Sequence, residues 1–484
     1  MIRDLATTAG AAILLPLFAA LVLGIVPSWR IGALVNAGAA TLTFAIVAFL
    51  PRSIGQSGPL LLVDRLAVHL SLLTAFVAMT ASWFSTAYVR VEVSQRRLNK
   101  ARLRQYHAMF QLFCGALLAV LLGNNLGITW VAIEAATIAA ALVIGLPRTA
   151  HAVEASWKFF VLCGSGIALA LFGTIVLYLA ALPALGPGLP AMSWTGLQQV
   201  AAGCDATVLN LAFVFLLVGY GTKAALAPLH AWMPDAHAEG PTPMSAILSG
   251  SVLNVALFVI LRLRGVMKAN HAAINPALPL VALGLLSVLL AAFSLWPRRD
   301  VKRFFSYSSV EHAGVAAFAF GIGGPAATFA GLLHMTVHTL TKSATFQCVG
   351  RAAQMKGGQR FAEMSGLISN HRALGLSLAA CVVALAGLPP FGLFSSEFLV
   401  ALAAVRASPW LAAPLLAGLV IAAWVQISRL QSLCLGPATA NPGPVPPRSA
   451  LVPVWLHLAL VLVLGLAMPG AIFAWFTSIA QATP

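Results

Sequence analysis

Charged residues are scarce in this sequence, and their scarcity excludes a soluble protein. Only 8% of the 484 residues are Asp, Glu, Lys or Arg, whereas 60% are hydrophobic, and the mean hydropathy is +0.93. A soluble domain carries about 25% charged residues. No polar interval along the chain is long enough to bury a core of its own. The sequence therefore predicts an all-α, polytopic membrane protein.

Motifs that hold metals, clusters or nucleotides are also missing. No CxxC pair, no histidine cluster at metal-ligand spacing and no phosphate-binding glycine loop occurs. We therefore expect no metal site, no cofactor and no redox centre in this chain. The six cysteines are scattered along the sequence: Cys114, Cys163, Cys204, Cys348, Cys381 and Cys434.

Long apolar runs are abundant, and they predict about fourteen transmembrane helices. The first run, residues 11–26, is followed by a second run after Arg30. We therefore expect a first spanning helix here, not a cleaved signal peptide. The centres of the predicted spans lie near residues 20, 40, 77, 115, 135, 168, 217, 252, 286, 313, 338, 389, 422 and 465.

The net charge of +16 reflects topology and not nucleic-acid binding. Much of the basic excess lies in three short loops, 88–107, 296–303 and 350–360, which fourteen spans would place on one side of the membrane. The loop 182–194, on the opposite side, has no Lys or Arg. The positive-inside rule then predicts that the basic loops are cytoplasmic and that both termini are outside. We expect a multi-pass protein of the cell's inner (cytoplasmic) membrane.

Ionisable residues inside the predicted spans are the most informative feature. Each costs at least about 2.5–3.5 kcal/mol at the bilayer centre, so such residues usually have a function. Glu134 lies in the span near 135, Lys223 in the span near 217, and Glu397 in the span near 389. His312, in "YSSVEHAG", is either a polar helix-end contact or a central residue.

The stretch "HMTVHTLTK" places three such residues at intervals of four, His334, His338 and Lys342. On a helix this spacing gives one stripe about 12 Å long. Histidines, with an unperturbed pKa of about 6.5, pass protons near neutral pH. We expect a proton relay, because a metal would need ligands that converge. Two other interpretations stay open: Lys342 could extend to the interface, and His334 could be a packed core residue.

Proline predicts that two of these helices are broken. Pro228 follows Lys223 in one span, and Pro389 with Pro390 precedes Glu397 in another. Proline removes a backbone donor and clashes with the preceding turn. Broken helices at matching places in two halves of a membrane protein indicate a transport site.

These motifs resemble those of the antiporter-like membrane subunits of respiratory complex I, the NADH-quinone oxidoreductase family. The resemblance rests on "GYGTKAALAPLHAWMPDAHAEGPTPMSAILSG", "DVKRFFSYSSVEHAG", "HMTVHTLTKSATF" and "GLPPFGLFSSEF". "RQYHAMFQLF", "WVAIEAAT" and "EASWKFFVLCGSGIALALFGT" are most similar to hydrogenase-4 component F.

The resemblance implies two inverted five-helix repeats, each with a broken helix. The repeats would be 106–265 (helices 4–8) and 275–436 (helices 9–13), between three N-terminal helices in 1–105 and a last helix in 450–484. The long lateral helix of the largest family members would be absent.

The resemblance also implies roles for the buried residues. Glu134 and Lys223 would form the charged pair of the first half, His334, His338 and Lys342 the central path, and Glu397 the exit. Some relatives carry a His or Lys in the eighth helix, where this chain has Ser249 and Asn254. The link between the halves would then rest on water or on His312.

The sequence thus predicts a proton-translocating membrane subunit of a multi-subunit redox complex. Its partners would be protons, the lipid bilayer, other membrane subunits and a peripheral redox arm, for which a nickel–iron hydrogenase is one candidate. Two alternatives remain open. The chain could belong to a cation/proton antiporter or an ion-coupled inorganic-carbon uptake complex, or it could be a passive membrane scaffold.

Overall fold

The computed structural model describes residues 4, 6–95, 97–437 and 448–483, which form α-helices joined by short connections. The first ten α-helices of this part of the chain are α1 (Thr8–Ile25), α2 (Trp29–Val47), α3 (Arg65–Ser94), α4 (Lys100–Leu122), α5 (Leu126–Ile144), α6 (Ala150–Leu185), α7 (Trp194–Val200), α8 (Ala206–Lys223), α9 (Met233–Glu239) and α10 (Thr242–Ile247). The next ten are α11 (Leu253–Ala269), α12 (Ala277–Leu295), α13 (Val301–Ile322), α14 (Gly324–Lys356), α15 (Leu367–Asn370), α16 (Arg372–Leu385), α17 (Gly392–Ala407), α18 (Pro409–Leu430), α19 (Val452–Leu466) and α20 (Gly470–Ala482).

The helices confirm the predicted all-α membrane fold. Within the described residues, 11 helical segments are long and apolar enough to cross a membrane. The number of fourteen spans stays a prediction. Two long helices, α13 and α14, are not among the 11 segments. Helix α13 carries His312, and α14 carries His334, His338 and Lys342. Both helices are almost entirely buried.

Helix α14 forms the centre of the second half of the molecule. It contacts α3, α10, α13, α16, α17, α19 and α20. Nearly every residue from Ala327 to Met355 is buried. Its polar side chains therefore face other helices rather than lipid, which lowers the cost of keeping them in the membrane.

The first predicted helix break lies between α8 and α9. Helix α8 ends at Lys223, and α9 begins only at Met233. The Trp232 side chain donates a hydrogen bond of 2.8 Å from Nε1 to the Thr222 oxygen. The backbone N–H of Ala227 donates one of 2.8 Å to Ser287 Oγ. The unwound backbone thus finds partners inside the protein, as it must within a membrane.

The second predicted break separates α16 from α17. Helix α16 ends at Leu385 and α17 begins at Gly392. Gly387, with φ of +62°, allows the turn. Pro389 and Pro390 lie between the two helices, as the sequence predicts. Glu397 lies in the second turn of α17, just after the break.

A polar contact joins α11 to α14 across the middle of the molecule. The segment Leu248–Val252 between α10 and α11 is a π-helix, a form found frequently at functional sites. Asn254, which follows this segment, donates a hydrogen bond of 2.8 Å from Nδ2 to Thr339 Oγ1. This contact connects residues of the two predicted repeats, whose boundaries at 106–265 and 275–436 stay a prediction.

The three basic loops meet at one end of the helix bundle. A cavity of about 580 Å³ is lined by Glu92, Arg97, Lys302 and Gln359, among others. The backbone N–H of Val301 donates a hydrogen bond of 2.9 Å to the Gln359 oxygen. The loops therefore lie on one side, as predicted from the charge pattern.

Candidate functional site

Three histidines form a buried group at the centre of the second half. His312 comes from α13, whereas His334 and His338 come from α14, and none is more than 2% exposed. The His312 ring centre lies 5.2 Å from that of His334 and 4.9 Å from that of His338. The two α14 rings are nearly parallel, with centres 6.3 Å apart. His312 is thus a central residue and not a helix-end contact.

Helix α17 completes this group with Ser396 and Glu397. His334 Nδ1 and Ser396 Oγ share a hydrogen bond of 3.0 Å. His312 Nδ1 lies 3.7 Å from Glu397 Oε1. His334 is therefore a hydrogen-bonded member of a polar group and not only a packed core residue.

The Lys342 side chain lies inside the protein and not at the membrane surface. Its side chain is fully buried, and Nζ donates a hydrogen bond of 2.8 Å to the Phe305 oxygen. The alternative that Lys342 extends to the membrane surface is therefore wrong. The stripe predicted from "HMTVHTLTK" ends at a lysine inside the bundle.

Glu311 is a buried carboxylate that sequence reasoning left out of the site. It is 2% exposed, and it interacts electrostatically with Lys342 and with Glu397. Gln426 Nε2 donates a long hydrogen bond of 3.4 Å to Glu311 Oε2. Residues 311 and 312 point about 100° apart on a helix. Both are inside because nearly every residue of α13 is buried.

Glu134 and Lys223 are neighbours in the first half, but they do not touch. Lys223 is 2% exposed, its Nζ lies 4.9 Å from the centre of the Phe159 ring, and it adjoins Cys163. Glu134 is partly buried, and its Oε2 has no hydrogen bond. The two charges act on each other electrostatically. Neither belongs to an ion pair within 4.0 Å among the described residues.

His237 lies between the two halves, and sequence reasoning missed it. This fully buried histidine of α9 stacks on Phe346 of α14, with ring centres 4.7 Å apart. Neither ring nitrogen has a hydrogen bond, and the ring interacts electrostatically with Lys342. His312 belongs to the second-half group. The histidine between the halves is therefore His237, two residues after Asp235 in the motif "PDAH".

The expectation that no metal ligands converge is wrong at one point. Ligand atoms of His312, His334 and Glu397 all lie within 4.8 Å of one another. The three residues come from three helices, so no local spacing in the sequence shows this convergence. The other two groups of the predicted stripe, His338 and Lys342, lie along α14 as expected.

A charged surface cluster surrounds Lys158 at the start of α6. Its Nζ lies 2.6 Å from Glu154 and 3.1 Å from Asp235, and Arg303 reaches Asp235 at 3.1 Å. The Lys158 side chain is 47% exposed. This lysine therefore anchors helix ends at the basic face and lies outside the buried site.

Comparison with known proteins gives one family. Residues 123–422 match the transmembrane family described as NADH:quinone oxidoreductase/Mrp antiporter. The chain is 46% identical over 469 residues to the hydrogenase-4 component F homolog of Methylacidiphilum infernorum. That alignment covers 97% of this chain and 98% of the relative.

Solved structures show the same fold. A chain of the archaeal membrane-bound sulfane sulfur reductase, a respiratory membrane complex, superposes with a TM-score of 0.86 at 24% identity, covering 98% of this chain and 97% of that chain. A chain of the Mrp complex from Dietzia sp. gives a TM-score of 0.80 at 18% identity, with coverages of 98% and 97%. The chain is thus a multi-pass membrane protein that belongs to the NADH:quinone oxidoreductase/Mrp antiporter family and is related to hydrogenase-4 component F.

Proposed function

We propose that this chain translocates protons across a membrane as one subunit of a multi-subunit redox complex. The observation that carries the proposal is the buried group of His312, His334, His338 and Glu397, which continues to Lys342. Ionisable groups are costly in a membrane interior, so they are usually retained there because they have a function such as ion transport. These residues lie next to a broken helix, where transporters of this kind place their sites.

The proposed path begins at Glu134 and Lys223 in the first half. Protons then reach Lys342 and pass through His338, His334 and His312 to Glu397, the exit carboxylate. A carboxylate about 4 Å from a lysine stabilises its charged form by about 4 kcal/mol at an effective dielectric of 20. Making or breaking such a contact therefore switches a lysine between holding and releasing a proton.

The proposed setting is the inner (cytoplasmic) membrane of the cell, with the basic loops in the cytoplasm. The partners are other membrane subunits and a peripheral redox arm, which carries out electron transfer. Relatedness to hydrogenase-4 component F supports a hydrogenase arm, of which the nickel–iron type is our candidate. The two repeats, 106–265 and 275–436, would each contain one half of the path.

The test replaces one member of the charged pair in the intact complex. Lys223→Ala and Glu134→Ala should lower proton translocation about 100-fold, the effect of losing a positioned proton carrier. The redox arm should still react with soluble acceptors. Lys158→Ala removes an exposed lysine of the neighbouring helix α6 and is the matched control. Normal translocation by both pair variants would refute the proposal.

The fold of the Mrp complex supports a second candidate, a cation/proton antiporter or an ion-coupled uptake subunit. It predicts sodium-dependent transport in membrane vesicles that contain the purified complex. It also predicts co-purifying partners without a redox centre. A translocation rate that is independent of sodium, in a complex that holds a redox arm, would exclude this candidate.

A further inference from the structure

We infer that His312, His334 and Glu397 bind a transition-metal dication of the zinc type, and that the bound ion blocks the proton path. The metal site stands on geometry alone. The blocking effect rests on the proposed function.

The three side chains offer ligand atoms at nearly the right separation. Zinc binds two histidines and one carboxylate at about 2.0–2.2 Å, which places ligand atoms about 3.3 Å apart in a tetrahedron. His312 Nδ1 and Glu397 Oε1 are 3.7 Å apart. All three ligand atoms lie within 4.8 Å of one another. The widest of these separations would therefore have to shorten by at most about 1.5 Å for the three atoms to hold one ion.

The hydrogen bonds of His334 prepare it as a ligand. The Ser396 hydroxyl donates to the Leu393 oxygen at 2.9 Å, so it accepts from His334 Nδ1–H at 3.0 Å. This tautomer leaves a free lone pair on His334 Nε2, a buried atom that has no hydrogen bond. Zinc-binding histidines usually donate their other N–H to a neighbouring acceptor in this way. Ser396 is therefore a positioning residue for the site.

Other unpartnered nitrogens lie around the same point. His312 Nδ1 and His338 Nε2 are buried without a hydrogen bond, and the rings of these two residues are 4.9 Å apart. The three-residue site therefore lies beside further buried imidazole nitrogen, although His338 is not one of the converging ligands. The Glu397 side chain is 13% exposed, so the cluster reaches the protein surface at this residue.

Two carboxyl groups lie near the site, those of Glu397 and Glu311. They interact electrostatically with each other, and Glu311 also interacts with Lys342. The nitrogens and oxygens that would hold the metal are the atoms that carry protons in the proposed path. A metal and a proton cannot occupy the same lone pair. Bound zinc would therefore stop proton transfer between His334 and Glu397.

The binding test uses the full chain purified in detergent and Zn²⁺ in competition with a fluorescent chelator. Wild type should bind one Zn²⁺ that Mg²⁺ and Ca²⁺ do not displace. His334→Gln and Glu397→Gln should each weaken binding at least about 100-fold, and Ser396→Ala about 10–100-fold. His457→Gln changes another fully buried histidine, on α19, and should leave the affinity unchanged. Co²⁺ provides a second readout, because its visible spectrum reports a four- or five-coordinate nitrogen and oxygen site.

The transport test measures proton translocation by the intact complex in vesicles while Zn²⁺ is titrated. Each variant is normalised to its own zinc-free rate, and redox turnover is followed separately. The zinc concentration for half-inhibition should rise in Ser396→Ala by the same factor as its dissociation constant.

Three outcomes separate the possibilities. Equal zinc affinity in wild type, His334→Gln and Glu397→Gln, with each variant still folded by size-exclusion chromatography, would overturn the site. Zinc bound at these residues with translocation undiminished would overturn the blocking effect. Zinc bound there in a complex that translocates no protons even without zinc would overturn the proposed function and support the metal site.

Discussion

Lys342 donates its hydrogen bond to the backbone oxygen of Phe305, at 2.8 Å, and not to a carboxylate. A carbonyl oxygen accepts this bond from either the charged or the neutral amine. The contact therefore holds the side chain in place without fixing its charge. Glu311 supplies the electrostatic interaction that depends on charge. Position and protonation are thus governed by different groups.

This arrangement predicts different results for two Lys342 variants. Lys342→Met keeps a long apolar side chain but removes the proton carrier, so proton translocation should fall about 100-fold. Lys342→Arg keeps the charge but does not release its proton, and it should be equally inactive. Translocation by vesicles containing the complex is the measurement. Near-normal activity of the arginine variant would show that Lys342 serves only as a fixed charge.

Glu311 should be required for proton translocation, although no pattern in the sequence singled it out. Glu311→Gln preserves the shape and the contact with Gln426 but removes the negative charge beside Lys342. We expect translocation to fall at least about tenfold, while the redox arm stays active. The comparison is Glu363→Gln, which neutralises an exposed carboxylate on the connection between α14 and α15. A similar effect of both variants would assign the loss to net charge.

His237 should couple the two halves through its ring nitrogens. His237→Phe keeps an aromatic ring against Phe346 and removes only the titratable atoms. Proton translocation should fall by about tenfold or more, with the melting temperature of the complex unchanged. His457→Phe, in the same assay, tests whether losing any buried histidine has this effect. Undiminished translocation in His237→Phe would place the link elsewhere.

Trp232 should stabilise the break between α8 and α9. Trp232→Phe removes the indole hydrogen bond to the Thr222 oxygen, which keeps the bond from the Ala225 N–H. This loss should lower the free energy of unfolding by about 0.5–1.5 kcal/mol. Trp157→Phe is the matched change at a side chain that is 62% exposed, where an effect within about 0.5 kcal/mol is expected. Thermal unfolding of the two variants in detergent gives the comparison. Equal melting temperatures would show that the break does not depend on this bond.

The main features of the fold and much of the site were predictable from sequence. Proline near Lys223 and Glu397 indicated both helix breaks, because proline acts on the backbone locally. The intervals of four between His334, His338 and Lys342 indicated their common stripe, because the periodicity of a helix is also a local property. Few charges and long apolar runs indicated a membrane protein, and the family motifs indicated its relatives.

The contacts that could not be predicted from the sequence depend on how helices distant in the chain pack against each other. Glu311 joins the site because α13 is surrounded by protein on nearly all sides. His312 of α13 lies close to Glu397 of α17, although the two residues are 85 positions apart in the sequence. His237 stacks on Phe346 of α14 because the chain unwinds between α8 and α9 before α9 packs on α6 and α13. Each of these contacts depends on tertiary packing, which local spacing does not determine.

Because His334, His338 and Lys342 are fixed to one uninterrupted helix, they cannot shift along the membrane normal independently. A slide of α14 by a single residue rise, about 1.5 Å, would stretch the bonds to Ser396 and Phe305 in the same movement. Neighbouring groups on α13 and α17 belong to other helices and would stay behind. A displacement of the basic end of α14 along the helix axis would therefore move at the same time all three of the residues that we propose as proton carriers.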